Sequence, residues 1–292
     1  AGHGWQATRG RMAGVFPRRQ AATALTPLLL LALLGIVLVL GAHLLGQHTE
    51  AGRAMDLAAQ QALRDPRWPT RRVLLVILGL VSPFALAGSL AVLVAVALRQ
   101  GRSWTAAAIT VLMGGANVST QLLKRVVLER PELGEGVGNT LPSGHATALL
   151  SLGLALMLLL PGRRRIMALA TFLGTAGALI TLWSGAHRPV DPIAAIGVCA
   201  LWAAVAVPIA ARDRCPRAGR PAPTLAARLG WAGVIVAALI PAAIVLARVL
   251  ARRPPGTGYA VTVILLVATL VLVTVALTAR AARAGSVVGA AD

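Results

Sequence analysis

Residues 26–45, TPLLLLALLGIVLVLGAHLL, run for twenty positions without a formal charge. About 20 apolar residues in a helix are long enough to cross the hydrocarbon core of a bilayer. The same pattern recurs at 73–98, 104–123, 143–161, 166–186, 190–211, 229–247 and 259–278. The chain is therefore expected to be all-α, a polytopic membrane helical bundle of eight spans. The fourth span has the shortest apolar part, 146–160. One soluble core cannot hide eight such segments. Composition agrees, since 13% of residues are charged where a soluble domain carries about 25%.

The net charge of +19 raises the question of a polyanionic partner. The arginines answer it, because they sit in short clusters at the ends of apolar runs: Arg18–Arg19, 163–165 and 212–220. That is the distribution of the positive-inside rule, so the expected partner is the membrane bilayer and no nucleic acid. With the N-terminus inside, 16 basic residues fall in inside segments and 12 outside, whereas acidic residues fall 2 inside and 7 outside. The expected placement is a multi-pass protein of the cell (plasma) membrane with a cytoplasmic N-terminus. The first nineteen residues lack a cleavage-site pattern, and the run that follows has full spanning length, so no signal peptide is expected. Cys199 and Cys215 give neither a disulfide framework nor metal-ligand spacing.

Four segments follow from the charge and apolar patterning. Residues 1–24 are a basic cytoplasmic tail, 25–212 a six-span core, 213–224 an Arg- and Pro-rich linker, and 225–292 a two-span C-terminal appendage. Between the first two spans, EAGRAMDLAAQQALRD is rich in helix formers. It fits either a helix lying on the membrane surface or a short solvated one. The polar residues Asn117, Ser119, Thr120 and Gln121 on the third span are expected to face the bundle interior. Trp104 and Trp183 stand at span ends as interfacial anchors.

Chemistry collects in three places. Twenty-seven of the 28 basic residues are arginine, and the one lysine, Lys124, ends the third span six residues before Arg130-Pro131. Lysine brings a compact charge to one oxygen, and arginine a planar fork, so the two suit a phosphate dianion. In LPSGHATALL, Pro142 precedes Ser143, a good N-cap, and an apolar run follows. A helix start offers free N–H groups to an anion, with His145 in the first turn. In WSGAHRPVDP, His187 and Asp191 are four apart. On a helical turn the carboxylate accepts one ring N–H and leaves the other nitrogen as nucleophile or base. Each element alone also fits a structural role. Eight-span topology brings all three to one membrane surface, the outer one.

The order Lys…Arg-Pro, then Pro-Ser-Gly-His, then His-x-x-x-Asp resembles the type 2 phosphatidic acid phosphatase superfamily. That family comprises membrane lipid phosphate and pyrophosphate phosphatases, with soluble acid phosphatases and vanadium haloperoxidases as relatives. The resemblance covers 124–191 by motif and about 26–211 by its six spans. It implies a reaction through a phosphohistidine with no metal and no cofactor. By position it implies Lys124, Arg130, Ser143 and the Gly144 backbone as phosphate ligands. It implies His145 as general acid and later base, His187 as nucleophile, and Asp191 as the group that holds His187. The chain departs from the pattern twice. Five residues rather than six separate Lys124 from Arg130, and Ile180-Thr181 stand where the family carries Ser-Arg. Arg188 is the candidate substitute for that arginine.

The expected function is an integral membrane lipid phosphatase acting at the outer face on a lipid phosphate or pyrophosphate. Polyprenyl pyrophosphate is favoured over phosphatidic acid and phosphatidylglycerol phosphate. The alternatives on the same scaffold are a non-catalytic lipid-phosphate binding or transport protein and a phosphotransferase. The sequence does not fix the oligomeric state.

Overall fold

A computed structural model describes the backbone of residues 16–128, 140–213 and 224–288, and side chains for all of these except 16–24, 224–229 and 285–288. Among the described residues it contains ten α-helices and no strand. These are α1 (Phe16–His48), α2 (Glu50–Leu63), α3 (Trp68–Gly79), α4 (Pro83–Arg99), α5 (Ser103–Leu122), α6 (Gly144–Leu159), α7 (Arg164–Trp183), α8 (Val190–Ala211), α9 (Thr224–Arg252) and α10 (Thr257–Val288). A π-helical turn, Leu123–Val127, continues α5.

Six helices are long and apolar enough to span a membrane: α1, α5 with its π turn, α7, α8, α9 and α10. The expected second span, 73–98, is two helices instead. α3 and α4 meet at a 44° bend, and only together are they long and apolar enough for a membrane segment, as a broken span or a re-entrant loop. The break follows from local chemistry. Pro83 has no N–H to extend α3, and Ser82 starts α4 by accepting the Ala85 N–H at 3.1 Å. The expected fourth span is the apolar α6, which at 16 residues is shorter than the others. Its length is about 24 Å, less than the ~30 Å of a hydrocarbon core. The chain is a multi-pass membrane protein.

The first helix starts earlier than the sequence suggested. Residues 16–24, expected in the tail, are helical, and 1–15 lie outside the described residues. So do 214–223 of the expected linker, including Cys215.

α8 is the central helix, with Ala194–Ala200 buried without a break. α1 packs closely along it, and α5, α6 and α10 cover its other sides. The α1–α8 approach requires glycine: a Cβ on Gly35 would lie 2.4 Å from Leu201 Cγ and 2.7 Å from the Gly197 carbonyl. Lipid gives apolar side chains no reason to leave it, so spans associate through such close contacts and through polar ties. One tie is Trp202 Nε1, which donates to Ser119 Oγ at 2.9 Å. α9 packs on α7, and α10 on α1, α7 and α8, so both last spans join the same bundle.

The segment 50–65 packs one side onto the helices around it. It forms α2, capped by Thr49, and buries Asp56, Ala59, Ala62 and Leu63 against the bundle.

Candidate active site

The site sits at one end of the bundle, where α5 ends and α6 and α8 begin. The loop before α6 is tied to α8 through the Ser143 N–H, which donates to the Asp191 carbonyl at 3.0 Å. Ser143 caps α6 through its hydroxyl, which accepts the Ala146 N–H at 3.4 Å, and is fully buried. Gly144 and His145 then occupy the first turn.

Asp191 lies in the first turn of α8 and is completely buried. Its Oδ2 accepts from His187 Nδ1 at 3.1 Å, from the Arg188 N–H at 3.0 Å and from the Thr140 hydroxyl. The last two bonds fix the carboxylate before the imidazole meets it. With Nδ1 bound to Asp191, Nε2 of His187 is left for chemistry. The His145 ring stands edge-on to His187 with centroids 6.2 Å apart.

A cleft of about 580 Å³ opens at these residues. Its polar wall contains Lys124, Arg125, Asn117, Gln121, Gly144, His145 and His187. Its apolar wall contains Val81, Pro83 and Leu86 from the α3–α4 break, Val118 and Leu122 from α5, and Ala148 from α6. Lys124 and the adjacent Arg125 both belong to the π turn, and both line the cleft. Lys124 is half-buried and Arg125 exposed.

The structure thus brings together Lys124, Gly144, His145, His187 and Asp191 from three separate stretches of chain. It does not place every expected residue on the cleft wall. Ser143 is buried beneath it in its capping role, and Arg188, 7% exposed, is not among the lining residues. Arg130 lies outside the described residues. Thr181, where an arginine was expected, is fully buried. Its hydroxyl donates to the Ala178 carbonyl at 2.7 Å, and its own carbonyl accepts the Ala186 and His187 N–H groups. Ile180 is half-buried beside it.

Sequence reasoning missed Thr140 and Arg125. A threonine in a loop carries no signal of a partner 51 residues away. Arg125 could have been found, because it adjoins the only lysine. The polar residues of the third span divide. Asn117 donates to Ser151 Oγ at 3.1 Å, and Thr120 and Thr147 share a buried hydrogen bond at 3.0 Å. Gln121 lines the cleft, as Asn117 also does. His43 and His48, with rings 4.5 Å apart, stay outside the cleft. Among the described residues no cluster of three or more His, Cys, Asp or Glu is placed to hold a metal ion.

The family model described as the PAP2 superfamily matches residues 48–215, more than half of the chain. No curated protein and no solved structure is significantly similar to it.

Proposed function

The chain belongs to the PAP2 superfamily, which points to phosphatase activity, and from that premise we propose that it is a lipid phosphatase working through a phosphohistidine. The observation that carries the proposal is the pairing of His187 with buried Asp191, across one cleft from His145 and Lys124.

The reaction proceeds in two steps. Nε2 of His187 attacks phosphorus as the bond from phosphorus to the leaving oxygen breaks. His145 gives its proton to that oxygen, releasing an alcohol or a phosphate. Asp191 holds the His187 ring and balances the charge it gains. Lys124, Arg125 and the free N–H groups at the α6 start stabilise the charge on the transferring group. Arg130 adds to this set by family position, and Ser143 serves it by shaping the helix start. Water then attacks the phosphohistidine, His145 takes its proton, the P–N bond breaks and phosphate leaves. The catalytic groups in this scheme are all the protein's own, so the proposed reaction calls for no metal.

The apolar wall favours a substrate with a hydrocarbon tail. Val118 and Leu122, which line the cleft on α5, are 59% and 54% exposed. A headgroup can enter the polar end while its tail stays against α4 and α5. Within that class we favour a polyprenyl pyrophosphate over phosphatidic acid or phosphatidylglycerol phosphate. Two adjacent cations at the mouth suit two linked phosphates. The arginine distribution favours a cytoplasmic N-terminus and a site at the outer face of the plasma membrane.

A second reading has one specific observation behind it. Thr181 leaves the site without one arginine of the family pattern, and a scaffold weakened in this way could bind a lipid phosphate without cleaving it. Phosphate release by purified protein in detergent with EDTA separates the two. The phosphatase reading expects release that His187→Ala abolishes. Binding of a lipid phosphate without release by the folded wild type would overturn it.

A further inference from the structure

The last two spans lie outside the family-matched residues, and none of their described residues lines the cleft. Their connecting turn nevertheless reaches the segment that carries His187. It does so through α2 and the residues that follow it.

Helix ends leave carbonyls unpaired, and α2 ends at Leu63. Arg252, the last residue of α9, supplies donors there. Its Nη1 donates to the Arg64 carbonyl at 2.9 Å and its Nη2 to the Ala62 carbonyl at 3.1 Å. The turn behind it is stiff. Arg253 sits at φ +47, Pro254 and Pro255 follow, and Thr257 closes the turn on the Pro254 carbonyl. Gly256 lies so near α2 that a Cβ there would be 2.8 Å from the Ala58 carbonyl.

The capped end of α2 in turn holds residues 183–190. The Asp65 N–H donates to the Trp183 carbonyl at 3.0 Å, and Asp65 Oδ2 accepts Trp183 Nε1 at 3.1 Å. The Arg64 stem covers Gly185, where a Cβ would lie 2.9 Å from Cγ and Cδ. At the far end Asp56 Oδ1 accepts the Val190 N–H at 3.1 Å. Both ends of the His187 segment are therefore fastened to α2, and α2 is fastened to the α9–α10 turn.

We propose that the α9–α10 turn is a clamp that sets the position of the His187 segment through α2, with Arg252 as its positioning residue. The extra spans then have a function: they tune the active site from outside the family core. A shift of the nucleophile by about 1 Å is enough to cost up to 10²-fold in rate. Loss of the clamp should therefore act on kcat rather than on substrate binding. The activity readout rests on His187 being the nucleophile, whereas the second readout does not.

The test compares Arg252→Ala and Arg252→Lys with Arg248→Ala, an exposed arginine one turn earlier on α9. Turnover of a polyprenyl pyrophosphate in detergent and amide hydrogen exchange over residues 183–190 are measured on the full chain. The clamp predicts that Arg252→Ala lowers kcat about tenfold with KM within about twofold. It predicts faster exchange across 183–190 with an unchanged global melting temperature, partial rescue by Arg252→Lys, and no effect of Arg248→Ala. Unaltered exchange at 183–190 in Arg252→Ala would overturn the clamp, and so would equal losses in Arg252→Ala and Arg248→Ala. If the wild type releases no phosphate from any lipid, the phosphatase reading fails, and the exchange result still decides the clamp. If Arg252→Ala does not fold, Gly256→Val, which crowds the Ala58 carbonyl, replaces it with the same two readouts. Unaltered exchange and kcat in that folded variant would equally overturn the clamp.

Discussion

Two sides of the cleft's polar lining are built in opposite ways. The His187 wall is buried and tied at every turn: Asp191 to Thr140 and Arg188, Trp183 to Asp65, Ser184 to Arg71, Val190 to Asp56. The Lys124 side is a π turn whose Arg125, Val126 and Val127 are exposed. The difference follows the work we assign to each side. A nucleophile must meet phosphorus within a few tenths of an ångström and at one angle, so its support is redundant. A cation that attracts a dianion acts over several ångströms and tolerates motion, so an exposed turn suffices.

That comparison can be broken from the strong side first. His187→Ala should lower phosphate release by about 10⁴-fold or more, measured as turnover of a lipid pyrophosphate in detergent. Asp191→Asn comes next. An amide offers His187 the wrong partner or tautomer, so kcat should fall about 10²- to 10³-fold with little change in KM. Both numbers come from one saturation curve. On the weak side, Arg125→Ala should reduce kcat/KM about tenfold, chiefly through KM, and the deficit should shrink as salt screens the cation. A salt series on wild type and variant checks this. The smallest effect belongs to Thr140→Val, which removes one of three bonds to Asp191 Oδ2. It should cost about 1 kcal/mol, a loss in kcat of about fivefold. If Arg125→Ala hit kcat as hard as Asp191→Asn, the division between a rigid wall and an electrostatic wall would be wrong.

Much of the fold was legible because a bilayer permits few solutions. The runs at 26–45, 190–211 and 259–278 needed no tertiary information, and α1, α8 and α10 cover them. The bend between α3 and α4 was legible too, in Ser82-Pro83, but the apolar run around it hides the break from any test of length. The role of 50–65 could not be read. Its helix is amphipathic in either setting, and the partners that dock it, Val190 and Arg252, are far away in sequence. Trp183 illustrates the same limit. Its span-end position suggested an anchor, and its indole N–H instead bonds Asp65.

In the site, the residues sequence reasoning found are those whose chemistry is local: a capped helix start at Ser143 and a His-Asp pair four apart. Thr140 was invisible because its contact with Asp191 depends on how two loops meet. The substitution of Thr181 for the expected arginine was plain in the sequence, but its consequence was not. The structure shows a side chain turned into its own helix, and it shows Arg125, not Arg188, on the cleft wall.

The central claim is a covalent bond between His187 and phosphorus. Rapid acid-free quenching of the purified protein with a ³²P-labelled lipid pyrophosphate, in EDTA, tests it directly. The account predicts a base-stable, acid-labile label that maps to His187, forms before free phosphate appears, and is lost in His187→Ala. Release of phosphate with no label at any time, or a label that survives in His187→Ala, would contradict it.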